Sequence, residues 1–305
     1  MLKPSDYYRE MSAIVSRFTG ADGEFHTAIG NLFFNRRTSP SQPLHTAQWP
    51  CFAMVTQGAK SLTLGDHVFD YGVGDYLVVS LDVPVISRVT KATPERPHLG
   101  LGMAVDSILL KEVLKRVDIP AVAAGDNGSC GVAVNKALPE LLDAMLRLLQ
   151  LLDRPEDIPA IAPLIEQEIL YRLLKGPHGP TLLRMAAIDS PGNKIAKAVA
   201  WLRHNYMCQL RVEELAGHVG MSVSSLHHHF RAITAMTPMH YQKRLRLHEA
   251  RRLMLVERLD VGTAGYRVGY QSPSQFSREY SRLYGLSPSR DVDSARERVH
   301  GAVVV

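Results

Sequence analysis

The chain has 305 residues, 46% of them hydrophobic and 21% charged, with three cysteines and a formal net charge of +5. That is enough for two domains with ordinary cores, and no apolar run approaches the roughly 20 residues that span a bilayer. Residues 1–17 hold Asp6, Arg9, Glu10 and Arg17 and no signal-peptide core, so a cytoplasmic protein without a membrane partner is expected; Cys51, Cys130 and Cys208 lack any CxxC or Cys/His spacing, which argues against disulfides and zinc.

Residues 25–105 read as short strands and turns. VFDYGVGDYLVVSLDVPVISRVT mixes β-branched and aromatic residues with Gly, Pro and Asp at short intervals. Turns are expected near Gly58, at Gly65 and Asp66, and at Gly72 and Gly74. Many short strands at this spacing suggest a barrel or jelly roll, which either encloses a small ligand or packs its own side chains. Arg36, His45, Gln57 and Tyr76 are polar groups of this region, and strand register decides which of them point inward.

The pattern changes at Leu138. LPELLDAMLRLLQLLD is helical with a broad leucine face, and after Pro155 a second apolar helix, IPAIAPLIEQEILYRLLK, runs to Lys175. The two helices could cover the barrel or join two copies of the chain. The width of the leucine face over 141–152 favours the second, so a homodimer through helices 138–175 is expected. GPHGP at 176–180 ends the helix, LLRMAA at 182–187 has room for one helical turn, and the stretch to PGN at 191–193 reads as a linker. The expected domains are 1–185 and 186–305.

The second half is basic. Residues 1–190 hold 18 Lys and Arg against 21 Asp and Glu, whereas 191–305 hold 17 against 9. Ile195, Ala198, Val199 and Leu202 begin this domain. VEELAGHVGMSVSSLHHHFR at 212–231 has Leu215, Ala216, Val219, Leu226 and Phe230 as an inward set and Gly220 at the turn. A second such unit follows in VGTAGYRVGYQSPSQFSREYSRLYGLSP at 261–288. There Val261, Ala264, Val268, Phe276 and Tyr280 face inward, Gly269 turns, and Pro273 opens the second helix. Two helix–turn–helix units therefore lie at about 212–231 and 261–282. Between them Thr237 caps and Pro238 opens a helix over 238–257, with Leu245, Leu253 and Val256 in its apolar stripe. Gly265 allows close helix approach, while Gly262 suggests that its helix starts after it. Residues after about Arg290 show no strong anchor and are expected to fray.

The second helix of the downstream unit exposes Ser274, Gln275, Ser277, Arg278 and Arg282. A helix of that size fits the major groove of duplex DNA, where such groups meet base edges and phosphates. Arg278 is the strongest candidate for a base contact, through guanine O6 and N7; a phosphate contact or an ion pair with Glu279 is the alternative. His227, His228 and His229 are consecutive on a helix and point about 100° apart, so they cannot share one metal ion. His229 is expected inward near Phe230, with His227 and His228 outward.

These residues carry a resemblance to the AraC/XylS family of bacterial transcriptional regulators: EELAGHVGMS at 213–222, RLRLHEARRLM at 244–254, YRVGYQSPSQFSREY at 266–280 and YGLSP at 284–288. The segment 57–85 is similar, more loosely, to the cupin-type N-terminal domain of an AraC-like subgroup. The resemblance implies an α+β chain with a cupin-like N-terminal β-barrel (jelly roll) and an all-α C-terminal domain. Its two recognition helices would enter successive major grooves on one DNA face. Carried over by position, Ser224, His227 and His228 would face bases in the first unit, Ser274, Gln275, Ser277 and Arg278 in the second, and Arg231 and Arg282 would meet phosphates.

No HxH pair with a nearby Glu accompanies His26, His45, His67 or His98, and GxSxG, P-loop and dinucleotide signatures are missing. No catalysis, no metal and no cofactor are expected. The expected function is a dimeric DNA-binding transcription regulator with double-stranded promoter DNA as its partner. RNA polymerase is a further partner, and a small effector of unknown identity would act through the barrel. A cupin-type enzyme with an appended helical domain, and a regulator without any effector, stay open as alternatives.

Overall fold

The computed structural model describes residues 3–117, 130–177, 179, 182–183 and 190–301, the side chains of 296–301 excepted. Its Cα positions group into two compact units, Met1–Ala196 with Ala232–Ala235, and Lys197–Arg231 with Met236–Val305. In the first unit helix α1 (Pro4–Arg17) precedes the strands β1 (Gly23–His26), β2 (Leu32–Arg37), β3 (Leu44–Gln48), β4 (Cys51–Gln57) and β5 (Ala59–Leu64). Then come β6 (His67–Gly72), β7 (Asp75–Val79), β8 (Val83–Lys91) and β9 (His98–Ala104). Helices α2 (Ser107–Arg116), α3 (Pro139–Gln150) and α4 (Ile158–Lys175) follow, with β10 (Val132–Lys136) between the first two.

The strands form a six-stranded sheet in the order β1-β2-β9-β4-β7-β10 and a four-stranded sheet in the order β3-β8-β5-β6. Every pairing within them is antiparallel. The turns expected at Gly58, Gly65 and Gly74 are in place, each glycine with a positive φ. At Gly58 a Cβ would also press on the carbonyl of Lys91, so glycine is required there on two counts.

Alternation divides the larger sheet into two faces. Phe34, Phe52, Met54, Tyr76, Val78, Leu99, Leu101 and Met103 join one buried cluster with Tyr7, Met11 and Val15 of α1 and the leucines of α3. Leu141, Leu142, Leu148 and Leu149 are all buried, and α3 packs on both α1 and α4. The broad leucine face is thus consumed within one chain, and its width does not mark an interface. What stays exposed nearby is Leu138 and, on α4, Ile161 and Leu164.

Three elements go beyond the sequence reading: α1, α2 and β10. Register also places the four polar groups named above. Arg36 lies on the helix-covered face and donates to the carbonyl of Thr19 (3.2 Å). Tyr76 packs on Phe52 on that same face, at 5.7 Å between ring centroids. Gln57 donates to the carbonyl of Pro97 (2.7 Å). His45 opposes Ile86, out of phase with the buried Val85.

The expected turn at 182–187 falls mostly outside the described residues. PGN at 191–193 opens a helix, α5 (Pro191–His204), in which the Ser190 hydroxyl accepts from the N–H of Asn193 (3.0 Å). The chain continues with α6 (Val212–His218), α7 (Val223–Thr234), α8 (Pro238–Leu255), α9 (Val261–Arg267), α10 (Pro273–Tyr284) and α11 (Pro288–Gly301).

The expected fraying after Arg290 is corrected by α11 as far as the described residues reach; 302–305 lie outside them. Asp291 is 5% exposed and takes 2.7 Å hydrogen bonds from Arg251 Nε and the Tyr280 hydroxyl, while Val292 joins the core. A charge that looked solvated is a buried anchor.

Candidate nucleic-acid interface

Both helix–turn–helix units form as their spacing implies. Leu215, Ala216, Val219, Leu226 and Phe230 are buried in the first, and Ala264, Val268, Phe276 and Tyr280 in the second. Gly220 and Gly269 take the turns with φ of 63° and 94°. At Gly269 a Cβ would strike the carbonyl of Met207, so both conformation and space require glycine. Gly265 lets Phe276 approach to within 2.9 Å of where a Cβ would stand. Gly262 lies inside α9, whose cap is Asp260, accepting from the N–H of Thr263 (2.9 Å). The helix therefore starts before Gly262 rather than after it.

The caps set where each outer helix begins. Ser222 accepts from the N–H of Ser225 (3.2 Å) ahead of α7, and Ser272 from that of Gln275 (3.3 Å) ahead of α10. Gly285, in the left-handed region, ends α10.

The joining helix α8 is capped by Thr237 and opened by Pro238 as the sequence implies. Its apolar stripe differs. Tyr241, Leu247, Ala250, Leu253 and Met254 are buried, Leu245 is half-buried, and Val256 is 69% exposed just past the helix end. Tyr241 meets Phe230 of the first unit edge to face at 5.6 Å, and Leu247, Ala250, Leu253 and Met254 enter the core of the second. One rigid helix thus carries both units.

Two polar residues of α8 tighten that arrangement, and the sequence reading missed both. Arg246 donates to the carbonyls of Tyr206 (2.6 Å), Cys208 (2.8 Å), Met207 (3.2 Å) and Gly269 (3.2 Å), and lies over the Tyr270 ring. Gln242 donates to the carbonyl of Cys208 (2.8 Å). Together they tie the chain after α5 to the turn of the second unit. Nothing in their spacing announces this, because a cation in mid-helix reads as solvated.

On α10, Ser274, Gln275, Arg278 and Arg282 are exposed and Ser277 is half-buried. Ser274, Arg278 and Arg282 follow at intervals of four and so share one face. Glu279 does not pair with Arg278. It binds Lys243 (2.9 Å) and the Tyr270 hydroxyl (2.7 Å) and accepts from Gln275 (3.3 Å), contacts that hold its carboxyl below the usual range although burial opposes them. Arg278 makes one hydrogen bond, to the carbonyl of Ser274 (3.3 Å), and has no ion pair among the described residues.

On α7, Ser224, His228 and Arg231 are exposed and share a face. His227 is half-buried rather than fully outward, and His229 is half-buried rather than a core residue; Phe230 fills the core position. Burial and the neighbouring His228 ring, 5.1 Å away, lower the His229 pKa. The described residues contain no cluster of three metal-ligating side chains, and no helix among them is long and apolar enough to cross a membrane.

Comparison with known proteins agrees with this geometry. Residues 28–181 match the family model described as the AraC-type transcriptional regulator N-terminus, and residues 215–292 match a helix-turn-helix domain model. The HTH-type transcriptional activator RhaS of Escherichia coli O1:K1 is 25% identical over 168 residues, 54% of this chain and 57% of RhaS. RhaS of Salmonella arizonae is 28% identical over 166 residues, 54% of this chain and 58% of its own. The chain thus spans less than two thirds of the length of these curated relatives. Unsaturated-fatty-acid-bound wild-type ToxT of Vibrio cholerae aligns with a TM-score of 0.53 at 8% identity, over 86% of this chain and 93% of that one. A second ToxT crystal form gives 0.54 at 11% identity, over 86% and 98%. The likeness to ToxT is one of fold.

Proposed function

We propose that this chain, which belongs to the AraC-type transcriptional regulators, binds double-stranded promoter DNA in a sequence-dependent way through its two helix–turn–helix units. The observation that carries the reading is the mounting of both units on α8, with the free guanidinium of Arg278 on the exposed face of α10. Ser224, His227, His228, Ser274, Gln275, Ser277 and Arg278 serve as base-facing groups, and Arg231 and Arg282 as phosphate contacts. The exposure of Ser274, Gln275 and Arg278 on α10 supports that reading. A guanidinium with no carboxylate to satisfy can donate two parallel hydrogen bonds to a guanine. The surplus of Lys and Arg in 191–305 supplies the phosphate attraction.

The finer reading is a cytoplasmic homodimer, of domains 1–185 and 186–305, controlled by a small effector and acting on RNA polymerase without catalysis of its own. Exposed Ile161 and Leu164 on α4 support a contact between copies. The fold shared with ToxT, which has been crystallised with an unsaturated fatty acid, supports an effector. A gel-shift titration with the DNA upstream of the chain's own coding sequence tests the core of the proposal. Retardation should survive an excess of unrelated duplex and weaken for Arg278→Ala and Ser274→Ala. Equal competition by unrelated DNA would refute it.

A further inference from the structure

The inward face of the β unit collects charge that the DNA-binding reading does not use. Arg37 and His98 are cross-strand partners on the side of β2 and β9 opposite the helix-covered cluster. The His98 ring lies over Gly100, its Nε2 3.2 Å from where a Cβ would stand, and it is 1% exposed. Its buried Nδ1 has no hydrogen-bond partner. From the smaller sheet Lys60 shares a face with the buried Leu62 and Tyr71. Lys60 interacts electrostatically with Arg37, His98, Cys51 and Glu24, so the two sheets bring these groups to one place.

The charge there does not balance. Lys60 and Arg37 contribute two positive charges and form no ion pair among the described residues; the Arg37 guanidinium donates to its neighbour's carbonyl (3.0 Å). Glu24, on the exposed edge strand, supplies one negative charge. Burial keeps the other titratable groups neutral: the Cys51 thiol is pushed up to about 12, the Tyr71 phenol is pushed up, and His98 is pushed down to about 3. A net positive charge on half-buried side chains, beside an unpartnered imidazole nitrogen, calls for an anion.

The other end of the same face is apolar. The Phe33 ring lies over Gly102, in the space a side chain would fill, and meets the ring of exposed Trp49 at 5.6 Å. Phe33 and Arg37 are four residue steps apart along the strand, roughly 13 Å.

We propose that this face holds an organic monoanion, its carboxylate directed at Lys60, Arg37 and His98 and its apolar body running toward Phe33 and Trp49. A single negative charge matches the local excess, which favours a carboxylate over a phosphate dianion. That this ligand is the regulator's effector rests on the function proposed above; the binding site itself does not.

The test uses the full chain with octanoate, 4-phenylbutyrate and decanoate, each paired with its primary amide, and with inorganic phosphate. Calorimetry and thermal melts should show saturable one-site binding of at least one acid, with the amide and phosphate at least tenfold weaker. Lys60→Met should lose that binding at least tenfold while melting no lower than the parent, because it removes an unpaired charge. Arg37→Gln repeats the test should the first variant fail to fold. Binding of no acid, equal binding of acid and amide, phosphate bound as tightly as the acids, or an unchanged affinity in the folded variants would overturn the proposal. Gel shifts on the same samples separate the two readings: acid binding without DNA binding refutes the regulator alone, and DNA binding without acid binding refutes this site alone.

Discussion

Arg246 in the joining helix donates to the carbonyl of Gly269 (3.2 Å), the residue that turns the second helix–turn–helix unit. The same guanidinium holds three carbonyls of the segment after α5, so one side chain ties that segment to the second helix–turn–helix unit. Each hydrogen bond from a charged donor contributes on the order of 1 kcal/mol here, given that Arg246 is only half-buried. Arg246→Met is expected to cost about 2 kcal/mol in chemical denaturation and to weaken DNA binding further, by loosening the separation of the two units. A variant as stable as the parent, with unchanged affinity, would show that the bridge is idle.

The ion pair of Arg251 with Asp291 joins α8 to the final helix. Their side chains are 20% and 7% exposed, and the Tyr280 hydroxyl completes the group. Breaking such a pair from one side leaves an uncompensated charge and typically costs about 3–5 kcal/mol. Asp291→Asn should therefore unfold the helical unit at markedly lower urea concentration. Denaturation midpoints indistinguishable from the parent would contradict the burial assigned to Asp291.

Arg278 and Arg282 should fail in different ways. On the proposed reading Arg278 contacts a base, so Arg278→Ala is expected to relax discrimination at one base pair by about 1–3 kcal/mol, with no loss of stability. The phosphate role proposed for Arg282 predicts instead that Arg282→Ala weakens all sequences alike and makes the salt dependence shallower by about one ion. Anisotropy titrations over single-base variants of the site, repeated at several salt concentrations, distinguish the two.

His98 ties the β unit to pH. Burial first, then the charges of Lys60 and Arg37, push it down to about 3 from the ordinary 6.5. Unfolding therefore takes up a proton at any pH between those values. The stabilisation is complete above 6.5 and falls away toward 3, at about 1.4 kcal/mol per pH unit. Melts between pH 7 and 4 should show this loss, and His98→Gln should flatten it. An equally steep loss in the variant would assign the effect to other groups.

Local signals made much of this legible in the sequence. The turns at Gly58, Gly65, Gly74, Gly220 and Gly269 each need a positive φ, and glycine announces that without reference to the rest of the chain. The cores of the two helix–turn–helix units follow from apolar spacing alone. Helix α1 is legible too, since Tyr7, Met11, Ile14 and Val15 recur at helical intervals. Arg246 and Asp291 were not, because a charge in a polar helix looks solvated until the partner helix is known. The inward set of Lys60, Arg37 and His98 was hidden for another reason. A shift of one residue in register would turn each of them to the opposite face, and composition and spacing do not set that register.

The proposed bipartite DNA reader would discriminate through Arg278 of its second unit. Anisotropy of the full chain on a labelled fragment of its own upstream region, competed by unlabelled single-base variants, tests it most directly. Tight, competitor-resistant binding is expected, in which one guanine substitution weakens the parent about tenfold or more and leaves Arg278→Ala unaffected. Identical competition by every variant and by unrelated duplex would contradict it.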